Sequence, residues 1–355
     1  GYNSLTCIPR NEKVNQNDVD GLYDVYWAGL NDTIGNKFDL NNGNLSGKLK
    51  GLYEVRDGNN AELISGSVLG VGNINTTTGK GNSVMISADA VDINKLNIAD
   101  KGCITINSKL YYYDGWSANA DADGNVSGFT FSNLTTLDET GKEIPAEIDP
   151  MENAGKKVSI GDSISFKGVP YYMAELNEFV RTFSRYMNDI HSDSAGVDSD
   201  GNQGLDLFST AGPTGTDYEF TTGAGLINNG TDTYYRLTAL NWGVNSAIEK
   251  DINKLVVAIK QDVDEGNNEK TDILDRLIAG LSDSKMFKEG TGSQFIESMT
   301  TSLSVDTNKT GLFAKNQDDI VNVIDQQRMS ISSVDSNEES SNLITLQIGY
   351  NLACQ

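Results

Sequence analysis

Histidine is almost missing from this chain: His191 is the only one. That excludes His dyads, Ser–His–Asp triads and metal sites built from several imidazoles. Cysteine is scarce as well. Cys7, Cys103 and Cys354 lie far apart, an odd set with neither a disulfide framework nor a metal spacing. Apolar runs are short, so no segment reads as a bilayer span, and the opening residues lack the basic start and apolar stretch of a secretory signal. Positive charge is low: 27 Lys and Arg stand against 50 Asp and Glu, a net charge of -23. Phosphate backbones and anionic lipid surfaces carry the same sign, so neither nucleic acid nor a membrane is an expected partner. No Gly-x-Ser-x-Gly elbow, phosphate-binding Gly-Lys-Ser/Thr loop or Cys-x-x-Cys occurs, and no cofactor is expected.

What is present changes character near residue 168. Upstream, Gly, Asn, Asp and Thr are dense and apolar residues alternate in short groups such as Leu22–Trp27, Ser83–Ser87, Cys103–Ile106 and Gly128–Phe131. Alternation broken by Gly and Asn turns predicts antiparallel strands, with residues 61–168 as an inserted β domain and 1–42 as a β segment ahead of it. One exception is Ser46–Arg56, whose Leu49, Leu52, Tyr53 and Arg56 share a helical face before the turn signal Asp57-Gly58-Asn59-Asn60. Its expected packing partner is the helix that follows Pro170. There Tyr172, Leu176, Phe179, Phe183, Met187 and Ile190 step by three and four, a coiled-coil-like seam. Further helices are predicted from Ser246, capped in a box with Glu249, through Ile259; from Thr271 through Leu281; around Phe295–Leu303; and from Leu312 to Met329. Residues 210–239 read as a β excursion or loop. The expected fold is α+β and multidomain: an elongated helical bundle formed by 43–60, 169–209 and 240–355, with antiparallel β domains inserted in its connections.

Candidate chemistry is thin. Asp198, Asp200 and Asn202 occupy the first, third and fifth positions of a calcium-type loop and Asp206 the ninth, but Gln203 stands where glycine belongs and Ser209 where the closing glutamate belongs. Asp121–Asn125 repeats only the first half, and such residues equally serve tight turns. Gly66–Gly72 is glycine-rich without strand–turn–helix order and reads as a turn. Many carboxylate pairs exist and nothing selects one for sugar hydrolysis. Tyr111, Tyr112, Tyr113 and Trp116 offer either a sugar-stacking platform or a strand pairing in a β core. His191 follows a helix end, where a cation is mildly favoured.

The last stretch is the most informative. Ser336 and Glu339 form a capping box, and Leu343, Leu346 and Tyr350, with Ile344 and Asn351 beside them, make a stripe with no stop signal before Gln355. An apolar stripe without a stop implies an internal fragment of an assembling molecule. Four blocks then point one way. They are Gly47–Asp57 (GKLKGLYEVRD), Leu176–His191 with the turn Gly196–Phe208, Leu240–Asn245 (LNWGVN), and Arg328–Val334 with Glu338, Glu339, Asn342, Gln347 and Tyr350. Together they resemble the flagellar hook–filament junction proteins, with Ser333 and Asn337 standing where the family has Gly and Asp.

The resemblance implies an extracellular structural subunit, not an enzyme, that joins hook to filament and leaves through the flagellar channel without a cleaved signal. Its implied partners are copies of itself in a tubular assembly, the hook protein, the second junction protein and an export chaperone that holds the C-terminal helix. Leu176, Phe179, Phe183, Met187, Leu343, Leu346, Gln347 and Tyr350 become the expected assembly seam. A flagellin or hook relative, and an adhesin or carbohydrate-binding protein acting through 61–168, are the competing readings.

Overall fold

The computed structural model describes residues 4–10, 13–16, 18–19, 21–29, 34–40, 42–60, 65–88, 95–120, 126–138, 142–161, 165–212, 215–220, 233–264, 266, 270–332 and 335–355. The chain divides into two compact units, Gly1–Phe295 and Ile296–Gln355. The first opens with β1 (Leu5–Pro9), β2 (Tyr23–Ala28) and β3 (Ile34–Lys37), an antiparallel sheet in that order, followed by α1 (Lys48–Asp57). Then come β4 (Ser65–Gly72), β5 (Ser83–Ser87), β6 (Lys101–Ile106), β7 (Lys109–Asp114), β8 (Trp116–Ala120), β9 (Val126–Phe131), β10 (Thr135–Leu137), β11 (Glu143–Pro145), α2 (Pro150–Asn153) and β12 (Lys157–Ile160).

These nine strands make one antiparallel sheet in the order β11-β10-β7-β6-β12-β4-β5-β9-β8. Alternation explains it residue by residue. Val84 and Ile86 of β5, Ile104 and Ile106 of β6, and Phe129 and Phe131 of β9 are buried, while Met85 between the first pair is exposed. The inward faces meet in one core in which Tyr113 and Phe131, on opposite halves of the sheet, lie 5.0 Å apart. The sheet is therefore strongly curled. Asn107 and Ser108, both at positive φ, make the two-residue turn that joins β6 to β7. The glycine-rich stretch 66–72 corrects the expectation of a turn: it is strand β4. Val68 is buried against the core, and the register shifts between Val68 and Gly70 where β4 meets β5.

The sheet leaves and returns at one crossing. Gly168 donates its N–H to the Gly58 carbonyl at 2.7 Å, and Asn60 donates to the Phe166 carbonyl at 3.0 Å. A Cβ on Gly168 would sit 2.5 Å from the Val55 carbonyl oxygen and 2.6 Å from that of Glu54. Glycine at this crossing lets two backbones touch.

Beyond it runs α3 (Val169–His191), with Pro170 in its first turn. There follow β13 (Gly196–Val197), β14 (Phe208–Ser209), β15 (Gly243–Val244), α4 (Ser246–Lys250), β16 (Ala258–Ile259), α5 (Lys260–Asp264), α6 (Asp272–Gly280), α7 (Gly292–Ser332) and α8 (Ser336–Ala353). β13 pairs with β16 and β14 with β15. The helix expected over 246–259 stops at Lys250, because Asp251 is extended and its carboxylate caps a new short turn at Asn253. Asn245, not Ser246, caps α4, and Asp335, not Ser336, caps α8, each accepting from the amide two residues on. The two helices expected around 295–303 and 312–329 are one, α7, since Gly311 sits in an exposed helix where its cost is only about 1 kcal/mol. α1 does lie against α3, yet Leu49 and Leu52, expected to pack there, are exposed. In the first unit the neighbours of α3 are α1, α6, short pairings and irregular backbone. The observed class is mixed α/β, with a large antiparallel sheet and a long C-terminal helix.

Gly168→Ala should lower stability by about 2–3 kcal/mol in urea denaturation. Gly51→Ala on the open side of α1, where nothing lies within 4 Å, should be neutral or slightly stabilising. Equal behaviour of the two variants would remove the crossing as a constraint.

Candidate functional site

The seam expected on α3 and the stripe buried on α3 are different. Leu176, Phe179 and Phe183 are only half-buried, whereas Asn177, Arg181, Ser184, Asn188 and His191, also spaced by four and three, are between 0% and 1% exposed. The deepest face of this helix is polar. A polar face is stable inside only if its groups are bonded, and here most are bonded to main chain that belongs to no helix or long strand.

Arg181 is the centre. Its guanidinium donates to the carbonyls of Leu237 at 3.0 Å, Leu96 at 2.7 Å and Tyr235 at 3.1 Å, and to Gln16 Oε1 at 2.6 Å. Its plane lies 4.5 Å from the centre of the Tyr235 ring. Burial brings its pKa down to about 10, which leaves it charged at neutral pH. Tyr235 bonds both the amide and the carbonyl of Ile98. One side chain thus joins α3, the approach to β6, residue 16 and the 235–237 turn.

Farther along, Asn188 makes a two-way amide clasp, donating to the Phe208 carbonyl and accepting the Phe208 N–H, both at 2.8 Å. His191 Nδ1 meets the Leu205 carbonyl at 2.6 Å and Nε2 accepts the Val256 N–H at 3.0 Å. The second bond requires a lone pair on Nε2, so the proton sits on Nδ1. Burial holds this imidazole below its ordinary pKa, against the Leu205 bond, which favours the cation. His191 is therefore a neutral clamp and not the cation expected at a helix end. Gly204 permits the close pass of the loop, because a Cβ there would meet the His191 carbonyl at 2.2 Å.

The four calcium-loop candidates do not converge on one point. Asp198 Oδ1 accepts the amides of Asp200 and Asn202 at 3.0 and 2.8 Å, which is turn chemistry. Asp206 accepts the Phe220 N–H at 2.6 Å instead. Among the described residues, no group of three or more acidic, His or Cys side chains is placed to hold a metal. The Asp121–Asn125 loop lies outside the described residues, as do 221–232 of the expected excursion. Asp206 carries the clearest electrostatic signature of the four. Burial, with Glu219 and Asp189 nearby, pushes its carboxyl up to about 7 against the help of the Phe220 amide.

The apolar seam of α3 is largely covered from within the chain. Phe179 stacks on Phe183 and on Phe287 at 5.5 and 5.4 Å and touches Phe295 at 5.9 Å. Phe183 meets Phe208 and Trp242 at 5.6 and 6.2 Å, and Met187 is buried. The C-terminal half of the expected seam differs sharply. Leu343, Leu346 and Tyr350 are 59%, 71% and 71% exposed, and Gln347 is exposed too. Ile344, Ile348 and Leu352, which lie on the other side of α8, are also more than half exposed. Residues 307–331 and 335–355 are all exposed. Of the tyrosine cluster, Tyr111 and Tyr113 face the core and Trp116 packs on Phe129 and Tyr235. They form no open platform.

No family model matches this chain, and neither a curated protein nor a solved structure matches it.

Two measurements check this network. Arg181→Met strands three carbonyls and should cost about 3 kcal/mol or more, and Arg181→Lys nearly as much, because an ammonium cannot reach four separated acceptors. For pH, the unfolded chain loses the Asp206 proton near pH ~4 while the folded chain keeps it to about 7. The folded state binds more protons between these values, so stability falls as pH rises through them. His191 works oppositely: its contribution is complete above about pH 6.5 and is lost as pH drops. Between about pH 4 and 7 Asp206 should therefore pull the urea midpoint down as pH rises, against the rise from His191, and Asp206→Asn should remove that downward pull. A variant whose midpoint follows the parent's pH dependence between about pH 4 and 7 would refute the assignment.

Proposed function

We propose that this chain is a structural subunit of the bacterial flagellum, a hook–filament junction protein that assembles by side-by-side helix packing and catalyses nothing. One observation carries the reading. In Ile296–Gln355, the large apolar side chains of α7 and α8 have no core of their own: Leu312, Phe313, Ile320, Val323, Ile324, Leu343, Ile344, Leu346 and Tyr350 are all at least half exposed. No charge follows Glu339 in α8. Helices of this make-up reach a stable state by packing against other helices. In this reading the elongated helical rod is completed between subunits, and Leu343, Leu346, Gln347 and Tyr350 belong to the contact.

The residues that carry the family resemblance support the same reading, because the fold uses them. Gly47–Asp57 contains α1, which lies on α3. Asn188 and His191 hold the following loop by its backbone. Trp242 packs 5.2 Å from Phe208. The implied partners follow from the role: copies of the chain in a tube, the hook protein, the second junction protein, and a chaperone that covers α8 before export to the cell exterior.

Deleting the gene in its host should leave hooks without attached filaments and non-motile cells, and the intact gene should restore both. A gene carrying Leu343→Asp and Leu346→Asp should fail to restore them although the protein is made. Normal filaments on deleted cells, seen by electron microscopy, would end the proposal.

A further inference from the structure

A cleft separates the β1–β3 sheet from the outer face of β6 and β7. Strand register builds its walls. Ile8 pairs with Asp24 and Tyr26 with Lys37. Asp24 and Tyr26 are two residues apart, so these four side chains share one face of the sheet. Across the gap Cys103 pairs with Tyr112, and both point away from the core that takes Tyr111 and Tyr113. The tyrosine triplet is thus split by the strand's alternation: two rings go inward, and Tyr112 lines the cleft half-buried, opposite half-buried Tyr26.

The buried charges of the cleft are paired with carboxylates in its wall and just behind it. Arg10 lies 2.9 Å from Asp24, and Lys37 lies 3.3 Å from the same carboxylate. Arg10 also meets Asp18 and Asp57 at 3.3 and 3.4 Å. These side chains are between 9% and 20% exposed, so each holds its neighbour in place in a partly dry setting. Lys13 and Glu143, of opposite sign and exposed, also line it, and Thr135 donates its hydroxyl to Glu143 at 2.5 Å.

A ligand with net charge would enter a site whose charges are already compensated and would leave one of its own or the protein's groups without a partner. A neutral ligand that supplies both donors and acceptors meets no such penalty. Fixed carboxylates accept from it, and fixed ammonium and guanidinium groups donate to it. Two tyrosine rings add flat apolar faces. A pyranose combines hydroxyls around its edge with C–H faces above and below. We propose that this cleft is a binding site for a neutral sugar unit, with Tyr26 and Tyr112 against its faces and Asp24, Lys37 and Glu143 at its hydroxyls. The cleft is lined by residues of the first unit and uses none of the residues assigned to assembly, so either function can fail without the other.

Saturation-transfer NMR on the full chain tests it, with methyl glycosides of glucose, galactose, mannose and N-acetylglucosamine as neutral probes and glucuronate and glucosamine as charged ones. At least one neutral probe should receive saturation, at several times the level of either charged probe. Tyr112→Ala should reduce the signal at least fivefold. Glu143→Ala, an exposed position that leaves the fold intact, should reduce it at least twofold. No transfer to any neutral probe, transfer to charged probes at an equal level, or a signal that survives both substitutions would overturn the proposal.

Discussion

The first unit depends on one requirement: main chain without regular structure has to find hydrogen-bond partners inside the protein. α3 supplies them. Arg181 alone satisfies three carbonyls from two separate turns, and Asn188 and His191 satisfy both an acceptor and a donor each. Only side chains with several donors, or with a donor and an acceptor together, do this, which is why Arg, Asn and His stand where an ordinary core helix carries Leu. The arrangement lets the described stretches 192–212 and 233–260 stay largely irregular and still be held in place. It also ties the curled sheet to the helix, since Tyr235 sits in the sheet's core and under the Arg181 guanidinium at once.

The second unit follows the opposite rule. α8 has neither a polar face to bond with nor a covered apolar one. Its apolar residues run around most of its circumference, an arrangement that favours enclosure from several sides. That exposure is the physical ground of the proposed role in assembly. The charge distribution agrees. A chain with a net charge of -23 is kept apart from its copies by repulsion wherever charge is dense, and the stretch after Glu339 carries none.

Much of the secondary structure was legible from pattern. β5 was read to the residue and α1 to within two, because alternation and helical spacing are both local properties. Gly66–Gly72 misled because glycine signals a turn in isolation, while here β12 and β5 on either side absorb it into the sheet. The continuation from Ser246 to Ile259 misled because its apolar spacing is helical, yet Asp251 breaks off to cap the next turn. The candidate site was half legible. The apolar steps Leu176, Phe179, Phe183 and Met187 were visible, but the polar steps Asn177, Arg181, Ser184, Asn188 and His191 run beside them with equal regularity. Two such stripes on one helix do not announce which will be inside.

Composition, the scarcity of histidine and cysteine, the strand alternation of residues 61–168 and the apolar stripe of the C-terminal helix belong to the sequence by itself, because each depends only on residue type and near-neighbour spacing. Tertiary structure alone decided that α3 turns its polar stripe inward, that Tyr112 parts from Tyr111 and Tyr113 to line a cleft, and that Arg10, Asp24 and Lys37 meet there. Those outcomes depend on where distant backbone passes, and the carbonyls that Arg181 satisfies lie 54 to 85 residues from it along the chain.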